Sequence, residues 1–183
     1  VDAQGPVARR FRVFFALMPP EPVARQIVDR ARALDVGGRA VSRERLHLTL
    51  AFMGNVDRAA LDALIARADS VQLSCFDLVL DQAGTFRRAG INWLAPSAPP
   101  VELLDLSAKL YKNTRADIDN TVFRPHVTIS RRSPALKAQP ISPIQWSVRA
   151  FSLVASGDNG APGTYIQLRQ WPLSTPSVGL RGL

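Results

Sequence analysis

The sequence has little cysteine, little histidine and almost no lysine. Of its 183 residues one is cysteine (Cys75), two are histidine and three are lysine, against twenty arginines. A lone cysteine excludes a disulfide framework within the chain and a cysteine-based zinc site. It fits a reducing compartment, so a cytoplasmic location is expected. No apolar run approaches the roughly 18 residues that a membrane span needs. The longest, Val13-Phe14-Phe15-Ala16-Leu17-Met18, stops at Pro19-Pro20. It is too short for a signal-peptide core and reads as a strand. A soluble chain with no membrane partner is the expectation, and a monomer.

What is present is ordinary globular material: 46% hydrophobic and 21% charged residues. Global disorder and a coiled coil are excluded. The length suits one domain, residues 1–183, made of two closely packed halves. The formal charge is +8, carried almost wholly by arginine. A guanidinium is a planar fork that matches phosphate oxygens, so a phosphate-bearing partner is one reading; a solvated basic surface is the other.

Residues 10–17 alternate as a strand, with Phe11, Val13, Phe15 and Leu17 on one face. Pro19 to Pro22 opens a helix with the stripe Val23, Ile27, Ala31 and Leu34, ended by Gly37-Gly38. Residues 46–53 form the cleanest strand: Leu46, Leu48, Leu50 and Phe52 point one way, His47, Thr49, Ala51 and Met53 the other. Asp57 caps a second helix carrying Leu61, Leu64, Ile65 and Ala68. Strands over 76–80 and 91–94 form a hairpin, with 84–90 as its turn. A helix over 101–116 follows, then a strand over 125–130 and a proline-punctuated loop over 133–143. A final strand pair spans 146–155 and 164–173, joined around Gly157 to Gly160. The alternation is α+β.

Both histidines are followed two positions later by threonine, in Leu46-His47-Leu48-Thr49-Leu50 and Pro125-His126-Val127-Thr128-Ile129. On a strand, residues i and i+2 share a face about 6.5–7 Å apart. Each motif therefore aims an imidazole and a hydroxyl at one side, and Leu48 and Val127 anchor the strands in the core. Imidazole is suited to proton transfer near neutral pH, and a threonine hydroxyl can donate to an anionic oxygen. Two such pairs facing each other would hold a phosphate. A protonated histidine would serve the leaving oxygen and a neutral one the attacking water. No metal or cofactor is required, because hydrogen bonds and arginine hold the charge. Two alternatives stay open: hydrogen-bonded structural histidines and a zinc site, although no His-x-x-x-His or compact carboxylate set accompanies them. Cys75 reads as a buried small hydrophobe.

The paired motifs, with Arg12-Val13-Phe14-Phe15-Ala16, the segment 46–54, Phe123-Arg124-Pro125 and Tyr165…Leu168…Trp171-Pro172-Leu173, resemble the 2H phosphoesterases. The resemblance is closest to their RNA 2′,3′-cyclic phosphodiesterase (2′-5′ RNA ligase) group and covers about residues 10–173. It implies a bilobal fold of two antiparallel sheets related by a pseudo-twofold axis, with outer helices and a central cleft. It implies RNA ending in a 2′,3′-cyclic phosphate as substrate and a 2′-phosphate as product. His47 would protonate the 3′ oxygen, His126 would activate water, and Thr49 and Thr128 would bind phosphate oxygens. Arg131 stands where the family often has an arginine, yet its strand parity is wrong, so a bend after Ser130 is needed to bring it to the cleft. Small cyclic-phosphate nucleotides are an alternative substrate class, and a non-catalytic RNA or nucleotide-binding module is an alternative function.

Arg43, Arg45, Arg124, Arg131 and Arg132 flank the motifs and are candidates for a backbone-binding rim. Arg87-Arg88 reads as solvated. Phe14, Phe15 and Tyr165 are candidate stacking platforms, the two phenylalanines more readily as core.

Overall fold

The computed structural model describes residues 10–114, 123–157 and 165–175. Nine strands and three α-helices follow in the order β1 (Phe11–Leu17), α1 (Glu21–Ala33), β2 (Arg39–Ala40), β3 (Leu48–Val56), α2 (Arg58–Ala68), β4 (Phe76–Phe86), β5 (Ile91–Ala95), α3 (Val101–Thr114), β6 (Val127–Arg131), β7 (Gln139–Val148), β8 (Ala150–Ser156) and β9 (Tyr165–Pro172). Residues 115 and 116 of the expected third helix, and most of the expected turn at 157–160, lie outside the described residues.

The strands run β7-β4-β5-β6-β3-β1-β8-β9, with β2 beside β6. Every ladder is antiparallel. Two four-stranded antiparallel halves therefore meet at β3 and β6, and a single pair, Leu48↔Val127, joins them. The histidine motifs sit at this seam. The segment before β4 also meets the end of β9: Cys75 N–H donates to Ser174 O at 2.8 Å, and Ser174 N–H to Leu73 O at 2.9 Å. The sheet is thus curled, and one apolar cluster runs through both halves, from Phe15, Leu48 and Phe151 to Leu78, Leu94 and Ile144.

The helices follow from their ends and stripes. Pro22 sits in the first turn of α1, with Glu21 beside it and Arg30 and Arg32 in the last turn, all favourable to the helix dipole. Asp57 caps α2 by accepting from Ala60 N–H at 2.8 Å. α1 leaves β1 but packs on β6 and β7, while α3 leaves β5 but packs on β3 and α2. Each half of the sheet is covered by a helix that follows a strand of the other.

Three expectations are corrected. The segment 133–143 is not all loop: β7 begins at Gln139 and carries Pro140 and Pro143. It is an edge strand, where a missing N–H breaks no ladder on the open side. Residues 146–155 are not one strand. The chain breaks at Arg149, leaving β7 on one outer edge and starting β8 in the other half. The hairpin turn is shorter than 84–90, because β4 runs on to Phe86. Gly84 lies within the strand, where a Cβ would come within 2.7 Å of the Trp93 ring. The turn proper is a 3₁₀ turn at Arg87–Ala89, closed by Gly90 at φ 60°.

The two central strands share an irregularity. In β3, Ala16 pairs with Thr49 and Phe15 with Ala51, so Leu50 is left over. In β6, Trp93 pairs with Thr128 and Asn92 with Ser130, so Ile129 is left over. Both are β-bulges three residues after a histidine, and a bulge releases a carbonyl from the ladder. Both carbonyls find partners. Leu50 O accepts from the buried Ser107 hydroxyl of α3 at 2.7 Å, and Ile129 O from Val41 N–H at 2.9 Å. Removing the first donor strands a buried carbonyl. Ser107→Ala is expected to lower stability by about 1–3 kcal/mol, read by urea denaturation.

Candidate active site

His47 stands one residue before β3 and His126 one residue before β6. Their surroundings match. His47 Nδ1 lies 2.7 Å from Arg45 O, and His126 Nδ1 lies 2.7 Å from Arg124 O. A carbonyl only accepts, so each Nδ1 carries the hydrogen and each neutral ring presents Nε2 as a free lone pair. In both cases the partner is the carbonyl two residues upstream, so the backbone entering the strand sets the tautomer.

Aromatic rings fix the imidazoles from behind. Phe14 lies 4.9 Å from His47 between centroids, and Tyr165 meets His47 edge-on at 5.1 Å and Phe14 at 5.4 Å. Phe86 meets His126 edge-on at 4.8 Å and leans on Trp93 at 5.5 Å. Phe14 borders the cleft but is 4% exposed. Its ring backs His47 and has no open face for a base, which corrects the stacking expectation. Phe15, at 0%, is core. Phe86 is a support that sequence reasoning missed, because it was assigned to a turn.

The bulges decide what else faces the cleft. After Thr49, both Leu50 and Ala51 turn inward, at 1% and 0% exposure, and Phe52 emerges 46% exposed. After Thr128, Ile129 and Ser130 turn inward in the same way and Arg131 emerges exposed. Strict alternation had put Phe52 in the core, and the extra residue reverses that. It also supplies the change of phase that Arg131 needed, one residue earlier than the expected bend after Ser130.

A cleft of about 660 Å³ opens on this face. His47 and Thr49 line it, with Tyr165, Phe52 and three arginines, Arg12, Arg45 and Arg131. Among the described residues, no carboxylate lines it. Arg12 lies 5.2 Å over the Phe52 ring and Arg45 5.0 Å over the Tyr165 ring, so both guanidiniums rest on aromatic faces. Arg45 Nε is buried without a hydrogen-bond partner among the described residues. Arg12 was not among the rim candidates, although its parity with Phe14 on β1 was the available signal. Arg43 was among them, yet it faces away, held by Glu21 at 2.6 Å, and borders the outer groove beside α1. Thr128 is 9% exposed and, like His126, does not line this volume. Among the described residues, no group of three or more His, Cys, Asp or Glu could hold a metal ion.

Burial lowers both histidines, because the charged ring loses water. His47 is pushed down to about 4: burial is the largest cause, the Arg45 carbonyl opposes it, and the charges of Arg131, His126 and Arg45 add to it. His126 is lowered by burial and by Arg131 against the pull of the Arg124 carbonyl. The charge of Arg131 acts on both rings, and that of His126 on His47. At pH 7 both rings are therefore neutral in the free protein. An anion bound between them would raise both. NMR titration is expected to give His47 a midpoint near 4 and His126 one below 6.5, both moving up when inorganic phosphate is added. Since the unfolded chain binds protons more readily than these rings, stability is expected to fall as pH drops from about 6.5 toward 4.

Comparison with known proteins gives a consistent answer. Residues 19–160 match the family model described as the 2′-5′ RNA ligase superfamily. The chain is 33% identical over 170 residues to the RNA 2′,3′-cyclic phosphodiesterase of Escherichia coli strain K12, covering 89% of this chain and 97% of that protein. The crystal structure of E. coli LigT complexed with 3′-AMP superposes with a TM-score of 0.84 at 31% identity, covering 91% of this chain and all of LigT. A protein of Thermus thermophilus, TT0787, shares the fold, with a TM-score of 0.74 at 24% identity over 90% of this chain and 99% of that one.

Proposed function

The chain belongs to the 2′-5′ RNA ligase superfamily, and from that premise we propose that it is a phosphodiesterase that opens RNA 2′,3′-cyclic phosphate ends to 2′-phosphates. The observation that carries the reading is the matched pair of histidines. Each is held by Nδ1 on a carbonyl two residues back, each has a threonine two residues on, and Arg131 acts on both. A binding module has no need of two proton carriers in the same tautomer.

The cyclic phosphate is an anion, and three arginines, with no carboxylate beside them among the described residues, favour its approach. Thr49 donates to one phosphate oxygen and Thr128 to another, while Arg131 compensates the charge that builds on phosphorus in the transition state. The bound anion also resolves the protonation question. Both rings are neutral when the site is free, and a phosphate beside them raises their affinity for a proton, so one becomes imidazolium only with substrate in place. His47 then gives its Nε2 proton to the 3′ oxygen as the P–O3′ bond breaks. His126 takes a proton from the water whose oxygen bonds to phosphorus. The product keeps phosphate on the 2′ oxygen and frees the 3′ hydroxyl. The two histidines end with exchanged protonation and reset through solvent. Burial helps here, because an imidazolium shielded from water is a stronger acid.

No metal takes part in this scheme: the two imidazoles carry the protons, and arginine and threonine hold the charge. The crossed helices support reading residues 1–183 as one domain, since neither half covers its own sheet.

Incubation with a short RNA bearing a terminal 2′,3′-cyclic phosphate is expected to yield the 2′-phosphate with EDTA present. A 3′-phosphate product would reverse the leaving-group assignment, and loss in EDTA restored by zinc would replace the mechanism. His47→Ala and His126→Ala are each expected to lower kcat about 10²–10⁴-fold with unchanged circular dichroism. Turnover near that of the unaltered protein in either variant removes that residue from its role.

A further inference from the structure

We propose that a row of arginines leading out of the cleft, Arg131, Arg39, Arg132 and the Arg87-Arg88 turn, binds the backbone phosphates of the RNA strand that precedes the cyclic end. The proposal rests on the reading of the cleft as a cyclic-phosphate site and adds a second site that selects a strand over a mononucleotide.

The row is built by the backbone. Strand β2 has only two residues, both exposed, and it is pinned to β6 where the Ile129 bulge carbonyl receives Val41 N–H. The register puts Arg39 directly opposite Arg131. Directly opposed residues of an antiparallel pair share a face, and like charges there repel. The approach is close: Gly38 has φ +71°, and a Cβ on it would lie 2.7 Å from the Arg131 carbonyl oxygen. Arg132 follows directly in the left-handed region, at φ 52°, an unfavourable conformation for a residue with a side chain. The 3₁₀ turn bearing Arg87 and Arg88 closes at Gly90, whose carbonyl accepts from Ser133 N–H at 3.2 Å, which sets that turn against Arg132.

Nothing within the described residues neutralises these charges. Arg25, Arg32, Arg43, Arg58, Lys109 and Arg169 each lie within 4 Å of a carboxylate. Among the described residues, Arg39, Arg87, Arg88, Arg131 and Arg132 have no such partner, and all five are exposed. A fold that opposes two arginines across a ladder and sets a third beside them in the left-handed region gathers positive charge that a bound anion would offset. The row is continuous with the cleft through Arg131, and its charges are spread over several positions rather than gathered at one. A polyanionic strand fits that better than a single phosphate.

The test compares two substrates, a mononucleoside 2′,3′-cyclic phosphate and a short single-stranded oligoribonucleotide with the same end. For Arg39→Ala and for the double change Arg87→Ala/Arg88→Ala, KM for the oligonucleotide is expected to rise about threefold to tenfold at low salt. The slope of log KM against log salt should fall by about one for each phosphate no longer held, with mononucleotide kinetics unchanged. Equal changes for both substrates, or none for either, would overturn the proposal. Anisotropy of a fluorescein-labelled oligoribonucleotide ending in a 2′-phosphate reads the row without turnover. Weakened binding in the variants supports it even if neither substrate is hydrolysed, and unchanged binding sinks it even if both are.

Discussion

Leu50 and Ile129 stand in their ladders without partners, and the carbonyls they release are held by Ser107 and Val41. The rest of the site depends on that arrangement. A strand keeps a side chain on one face every second residue, so a regular β3 would bury Phe52 and a regular β6 would turn Arg131 away from His126. The extra residue just beyond each threonine sends two successive side chains into the core and brings the next one out. The cleft thereby gains an aromatic wall from one motif and a cation from the other. The repetition gives the two halves similar backbones but different chemistry at the equivalent position.

Electrostatics and packing then act together on the histidines. Phe14, Tyr165 and Phe86 take water from the imidazoles, and that burial, more than any neighbouring charge, holds them neutral. The carbonyls at Nδ1 oppose the effect and fix the tautomer. The outcome is a pair of neutral rings, with His47 set in a cleft whose described lining offers arginine and no carboxylate.

The curled sheet explains how so small a chain brings distant segments to one seam. The halves share a single ladder pair at β3 and β6, yet α1 and α3 cross over and the segment before β4 joins the end of β9 through residues 73–75 and 174. The seam is therefore held by the core and the crossed helices rather than by its own hydrogen bonds.

The sequence by itself determined the α+β order, the capped helices, the two His-x-Thr strands and the family, because these rest on local periodicity and on residues two apart on one strand. It also singled out His47, Thr49, His126 and Thr128 by type and spacing, of which His47 and Thr49 line the cleft. It could not determine the phase of either strand beyond the threonine. A bulge is stabilised by partners far along the chain, Ser107 for Leu50 and Val41 for Ile129, and nothing in the local pattern records them. For the same reason alternation misassigned Phe52, left Arg131 conditional and took Phe86 for a turn residue. Which arginines face the cleft was likewise decided only in three dimensions. Arg43 flanks the first motif but is claimed by Glu21 of α1, whereas Arg12, far upstream of His47, arrives beside Phe52 because β1 and β3 pair.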